Sequence, residues 1–185
     1  MDNKETKPNL FTRFPKLCYV WIPFVLIALD RITKYWANSV LRDKESIPVI
    51  GKAVTFRYLE NTGAAWGSFH GKVDILLILS ALLSVGILLI IARVPSGKRF
   101  RPFTLCLIFI VSGALGNLYD RLVYHHVKDF ISFDIINFPV FNVADIYVTC
   151  GTFVLAFLFL FYYKEEELDF LPFFGSKKEN EKSSE

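Results

Sequence analysis

The sequence predicts an all-α polytopic membrane protein, with four transmembrane helices and one short β-element lying outside the membrane between the first and second. Three observations carry this. Of the 185 residues 53% are hydrophobic and 16% aromatic, with 19 Phe, and the mean hydropathy is +0.39. That is more apolar surface than a soluble domain hides from water. Charge is gathered into short clusters between long apolar runs. Finally, the small-residue-rich run from Val111 to Asp145 acquires Asn117, Asp120, Arg121, Asp129, Asn142 and Asp145 before the chain turns apolar again. An Asp or Arg at the centre of a membrane helix costs roughly 2.5 to 3.5 kcal/mol, so such a cluster marks a functional site by default.

The composition also excludes. A net charge of +3, with the basic residues in scattered clusters, gives no footprint for nucleic acid. Cys18, Cys106 and Cys150 all lie in apolar runs without paired spacing, which predicts buried free thiols and neither a disulfide framework nor a zinc site. His70, His125 and His126 lack HExxH spacing, so no metal and no organic cofactor is expected.

In chain order, residues 1–16 form a polar cytoplasmic segment with Lys4, Lys7, Arg13 and Lys16. Residues 17–163 form the membrane domain. Its first helix is predicted to run from Leu17 to Leu29, uncleaved because no small-x-small site follows, with Asp30, Arg31 and Lys34 charging its far end. Tyr35 and Trp36 then fit an aromatic belt. Ile47 to Ile50 and Ala53 to Leu59 alternate with period two, which predicts the β-element, and Asn61-Thr62-Gly63-Ala64-Ala65-Trp66-Gly67 follows, small enough for close backbone approach. Ile75 to Ala92, Pro102 to Tyr119 and Ile146 to Tyr163 are three more runs without charge, each near the twenty or so residues that span a bilayer. Gly113 and Gly116 are spaced for close helix packing. Residues 164–185 form a charged cytoplasmic tail, expected to be disordered apart from the apolar 170–174 patch.

Four spans put both termini on one side. The basic N-terminal segment and the 93–101 turn, set against only Arg121 and Lys128 between 121 and 141, make that side cytoplasmic. The first connection also holds several basic residues, diluted over a longer stretch. On this topology Asp30, the Asn61 segment, Asp120, Asp129 and Asp145 all lie on the outer side.

Asn117, Asp120 and Arg121 stand at i, i+3 and i+4 and share a helix face, and Asn142 and Asp145 repeat the i, i+3 spacing where the fourth helix starts. Asp129 lies between them, in what reads as a loop. Two carboxylates held together at low dielectric cannot both ionise easily, so one keeps its proton, and the pair can activate water for attack on a peptide carbonyl. Neighbouring Asn or Arg groups would stabilise the oxyanion. Taken singly, each charge has a plainer explanation: Asp120 could pair with Arg121, and Asp30 could cap a helix end against Arg31 or Lys34. Ser112-Gly113 has no histidine in a later span to serve as a base. Position alone does not choose Asp129 over Asp120. A small proton- or ion-coupled transporter using the same acids is the rival class, although the second and fourth spans offer almost no polar groups across the bilayer.

From about Trp21 to Tyr163 the chain resembles the lipoprotein signal peptidases (signal peptidase II). The matching motifs are Asp30-Arg31-Ile32-Thr33-Lys34, Asn61-Thr62-Gly63-Ala64-Ala65-Trp66, Gly116-Asn117-Leu118-Tyr119-Asp120-Arg121, Val127-Lys128-Asp129-Phe130 and Phe141-Asn142-Val143-Ala144-Asp145. The resemblance implies an aspartic intramembrane endopeptidase of the bacterial inner or plasma membrane, multi-pass, with a small extracytoplasmic β-cradle and an active site on that side. It implies diacylglyceryl-prolipoprotein substrates cut before the lipidated cysteine, contact with membrane lipids, and inhibition by cyclic lipopeptides such as globomycin. By motif, the catalytic pair falls on Asp129 and Asp145. Asp30, Asn61, Gly63, Asn117, Asp120, Arg121 and Asn142 become substrate-binding or supporting residues, Asp120 serving beside Arg121. Lys128, where the family is usually apolar, is expected to lower the pKa of Asp129, and Ile146 stands where a small hydroxyl residue is common.

Overall fold

The computed structural model describes residues 19–51, 53–63, 71–136 and 138–171. Four long helices, α1 (Trp21–Leu41), α2 (Val73–Arg93), α3 (Arg101–Tyr124) and α4 (Val143–Phe161), are joined by three strands, β1 (Ile47–Ile50), β2 (Val54–Asn61) and β3 (Val127–Phe133). The central helix is α3, which packs against each of the other three. Its apolar run is interrupted by small residues, and these set how closely its neighbours approach. A methyl on Gly113 would come within 2.7 Å of Val148 and closer still to the Ala144 carbonyl, while one on Gly116 would sit 2.8 Å from the Asp30 carboxylate and 3.4 Å from Ala144. Gly116 is therefore where α1, α3 and α4 meet.

Helices α2, α3 (with its preceding 3-10 turn from Lys98) and α4 are long and apolar enough to cross a membrane by length and composition. The expected fourth span is not of that kind. Helix α1 has 21 residues, but Asp30, Arg31 and Lys34 lie in its middle and not at its far end, with Tyr35 and Trp36 inside it. The helix continues because these charges are satisfied sideways against α3, leaving its other face apolar and exposed at Trp21, Phe24, Val25 and Ile32. Leu17 and Cys18 lie outside the described residues.

The β-element is a three-stranded antiparallel sheet in the order β1-β2-β3. Its first two strands match the period-two reading, and the third corrects it. Asp129 is on β3, not in a loop, opposite Leu59, with Asn61 opposite Val127. Phe130 anchors the sheet to α1 by packing with Ala37 and Leu41, in an edge-to-face cluster with Trp36 and Phe56. Backbone bonds from Phe130 and Ile131 to the Phe141 carbonyl then bring the chain back to α4.

The tail expected to be disordered from Lys164 is packed as far as Leu171. A turn at Glu165–Leu168 buries Leu168 and Leu171 in the main core, and Arg99 grips it through Glu167 at 3.0 Å and lies 4.0 Å from the centre of the Tyr162 ring.

Gly113→Ala should lower the thermal midpoint in detergent, with overpacking costing about 1 to 3 kcal/mol, because a backbone carbonyl blocks the new methyl. Gly86→Ala, which faces open space on α2, should raise it slightly by improving helix propensity by up to about 1 kcal/mol.

Candidate active site

Four carboxylates, three of them buried and Asp145 half-buried, gather where α1, α3, α4 and β3 meet, and they fall into two kinds. Asp30 and Asp120 are fully buried and neutralised. Arg31 bonds Asp30 at 2.6 Å and also binds Asp120, while Lys34 lies 3.1 Å from Asp30 and 2.9 Å from Asp120. Asp30 further accepts the Ala144 amide at 3.2 Å, joining α1 to the start of α4. The pairing expected between Asp120 and Arg121 is not made. Asp120 is taken instead by Arg31 and Lys34 of α1, and Arg121 turns to the segment after β2.

Asp129 and Asp145 are held by neutral donors. Asn61 and Asn142 donate to the two oxygens of Asp129 at 2.8 and 2.6 Å. Asn117 donates to one oxygen of Asp145 at 2.7 Å, and the Asn142 backbone amide donates to the other at 3.0 Å. Among the described residues neither aspartate forms an ion pair. Asn142 thus holds both carboxylates, and it can do so because it caps α4, its side chain accepting the Asp145 amide at 3.1 Å in a reciprocal capping box.

Each amide in this chain is oriented by a partner that cannot be reversed. Lys34 can only donate, so its 2.8 Å bond fixes the oxygen of Asn117 toward it and the nitrogen toward Asp145. The Asp145 amide fixes Asn142 in the same way. The Gly63 amide, 2.9 Å from the Asn61 oxygen, turns the Asn61 nitrogen to Asp129. Lys34, only 1% exposed, pairs with Asp30 as the sequence allowed, but its bonds to Asp120 and Asn117 were not anticipated. Its spacing of four from Asp30, one helical turn, is the signal for the first pairing.

Both aspartates open onto a cavity of about 680 Å³ that Asn61, Gly63, Asn117 and Arg121 also line, with an apolar wall that includes Ile131, Phe138 and Ile146. Arg121 reaches the Gly63 carbonyl at 3.4 Å and ties the segment after β2 to the site. The structure therefore assembles Asn61, Gly63, Asn117, Arg121, Asp129, Asn142 and Asp145, and leaves Asp30 and Asp120 as a supporting ion cluster behind them. Ala64, Ala65, Trp66 and His70 lie outside the described residues. Cys106 is buried as expected, but Cys150 is exposed and lines the cavity.

Burial, and then the nearby charge of Asp145, push the Asp129 carboxyl up to about 7. The shift is upward, opposite to the lowering expected from Lys128. Neighbours on a strand point to opposite faces, and the Lys128 ammonium lies 3.5 Å over the Tyr124 ring.

The family model described as signal peptidase (SPase) II matches residues 22–161. The lipoprotein signal peptidase of Clostridium novyi (strain NT) is 44% identical over 137 residues, which are 72% of this chain and 91% of that protein. The protein of the same name from Microcystis aeruginosa (strain NIES-843 / IAM M-2473) is 39% identical over 140 residues, 75% and 89% of the two chains. A solved structure described as a bacterial membrane enzyme, determined by the in meso method at 2.3 Å resolution, matches with a TM-score of 0.67 at 25% identity, covering 77% of this chain and 87% of that one.

A carboxyl whose folded pKa lies above its unfolded value binds its proton more tightly when folded, so ionising it opposes folding. For Asp129, raised from 3.8 to about 7, the cost should begin near pH 4, grow to about pH 7 and stay constant above. At 1.36 kcal/mol per pH unit it reaches at most about 4 kcal/mol. Asp129→Asn should therefore raise the thermal midpoint at pH 8 and barely change it at pH 4, measured by intrinsic fluorescence across the range.

Proposed function

Because the chain belongs to the signal peptidase II family, we propose that it is an aspartic endopeptidase that removes the signal peptide from diacylglyceryl-modified prolipoproteins, cutting before the lipidated cysteine. Asp129 and Asp145 are its catalytic pair. The observation that carries this is the contrast between the two kinds of aspartate. Asp30 and Asp120 are neutralised by Arg31 and Lys34, whereas Asp129 and Asp145 face one cavity, are bonded to neutral amides and stay free to exchange protons.

The surroundings divide the labour. Asp129, at about 7, carries the proton at neutral pH. The carboxylate role is assigned to Asp145, in the first turn of α4, whose two oxygens accept from the Asn142 backbone amide and from Asn117. The Asp145 carboxylate takes a proton from water as the water oxygen attacks the scissile carbonyl carbon, and Asp129 gives its proton to the carbonyl oxygen. In the second step Asp145 gives its proton to the cysteine nitrogen, Asp129 takes one back from the diol, and the C–N bond breaks, returning both groups to their starting states. Arg121 and Asn61, on the cavity wall, are available to hold the peptide. The apolar wall at Ile131, Phe138 and Ile146 suits a lipidated substrate or a cyclic lipopeptide such as globomycin. Proton or ion transport has no comparable support, since Asp30, Asp120, Arg31 and Lys34 are tied to one another in a single cluster.

With its charges neutralised against α3, α1 is fit to be the fourth membrane crossing, which sets both termini in the cytoplasm and the cavity on the outer side. In a background free of native cysteines, a cysteine at Ser96, in the exposed basic turn, should react with an impermeant maleimide only from the cytoplasm. One at Ile135, 72% exposed beside the sheet, should react only from outside. The opposite pattern overturns the orientation.

Cleavage of a diacylglyceryl lipopeptide by purified protein should be lost with Asp129→Asn and with Asp145→Asn alike. General acid-base groups contribute about 10²- to 10⁴-fold each, and a pair acting as a unit fails when either member is removed. Wild-type turnover should fall above about pH 7 as Asp129 loses its proton. Asp120→Asn should chiefly cost stability, about 3 to 5 kcal/mol for an uncompensated buried charge, with measurable turnover left in the folded fraction. A fully active Asp129→Asn protein sinks the assignment.

A further inference from the structure

A second cavity, of about 210 Å³, lies in the turn between α2 and α3, lined by Tyr19, Ser96, Lys98, Arg101 and Thr104 among others, with no acidic residue among the described residues of its wall. The cations of this turn are used differently. Arg99 is consumed internally, bonded to Glu167 and to the Tyr162 carbonyl and lying over the Tyr162 ring. The side chains of Lys98 and Arg101 enter no ion pair among the described residues, and both face the cavity.

Its position matters as much as its charge. Arg101 and Arg121 stand 20 residues apart on α3, so roughly 30 Å along the helix axis, which is the thickness of the hydrocarbon layer. The aspartate cavity at Arg121 and the cavity at Arg101 therefore open at opposite membrane surfaces. Helix α2, whose last turns expose Val85, Leu88 and Leu89, leads into the turn and adjoins it with surface suited to acyl chains.

We propose that this cavity binds the phosphodiester headgroup of an anionic membrane lipid. Lys98 and Arg101 hold the phosphate, Arg101 with its planar fork of donors, and the hydroxyls of Ser96 and Tyr19 supply further hydrogen bonds. A zwitterionic headgroup fits poorly because its own ammonium competes with the two protein cations. The site is independent of the cleavage chemistry, so either can fail without the other.

The test uses the full-length protein in a neutral detergent, with its thermal midpoint followed by intrinsic fluorescence during titration with dioleoylphosphatidylglycerol, dioleoylphosphatidylcholine or inorganic phosphate. Phosphatidylglycerol should raise the midpoint by several degrees and saturate, as a ligand of the folded state does, while the other two should not. Lys98→Gln/Arg101→Gln should weaken the apparent affinity at least ten-fold, and Arg93→Gln, at the end of α2, should leave it unchanged. If the double variant fails to fold, Ser96→Asp in the exposed turn should have the same effect by occupying the two cations. The proposal is overturned if the double variant or Ser96→Asp binds like wild type, if Arg93→Gln loses as much, or if phosphatidylcholine acts as phosphatidylglycerol does. An equal shift with inorganic phosphate assigns the cavity to a soluble anion and likewise overturns it.

Discussion

Two carboxylates and two cations meet between α1 and α3, and the fold depends on their cancelling. Asp30 and Asp120 are both 0% exposed, and burying either charge alone would cost several kcal/mol. Arg31 and Lys34 each touch both acids, so the four groups form a neutral unit that an apolar environment tolerates. Without it, α1 could not lie against α3 with three charges at its middle, and the sheet resting on Ala37, Leu41 and Phe130 would lose its foundation.

Lys34 also connects this unit to the chemistry. Its third contact, to Asn117, starts a relay of amides running through Asn117 and Asn142 to the two unpaired aspartates. Neutral amides orient a carboxylate without taking its charge away. They hold Asp129 and Asp145 in place while the proton balance between them is left to burial and mutual repulsion. Had either aspartate been given a cation as Asp120 was, it would be a permanent anion and useless for carrying a proton at neutral pH.

Close packing is the second constraint. Gly116 lets Asp30 and Ala144 approach α3 together, which brings the α1 charges within reach of the start of α4, where Asn142 caps the helix and delivers Asp145. At the far end, Arg99 and the 165–171 turn close the helix ends with aromatic packing around Phe100, Phe103 and Tyr163. One end of the bundle is thus polar and open, the other stapled.

The sequence by itself determined the three apolar helices, the first two strands and most of the polar cluster. Uninterrupted apolar runs, period-two alternation and i, i+3 spacings are local properties, and the motifs supply half of the cavity wall. Only the tertiary structure decided who pairs with whom. Asp120 stands beside Arg121 and Asp129 beside Lys128 in the chain, yet neither pair forms: α1 presents its two cations to Asp120, and a strand turns successive side chains to opposite faces. Their true partners come from distant segments: Arg31 and Lys34 for Asp120, Asn61 and Asn142 for Asp129. Strand β3 exists because β2 and Phe141 supply its hydrogen bonds, and α1 crosses its own charged middle because α3 brings the counter-charge. Both depend on groups dozens of residues away in the chain, which no local pattern records.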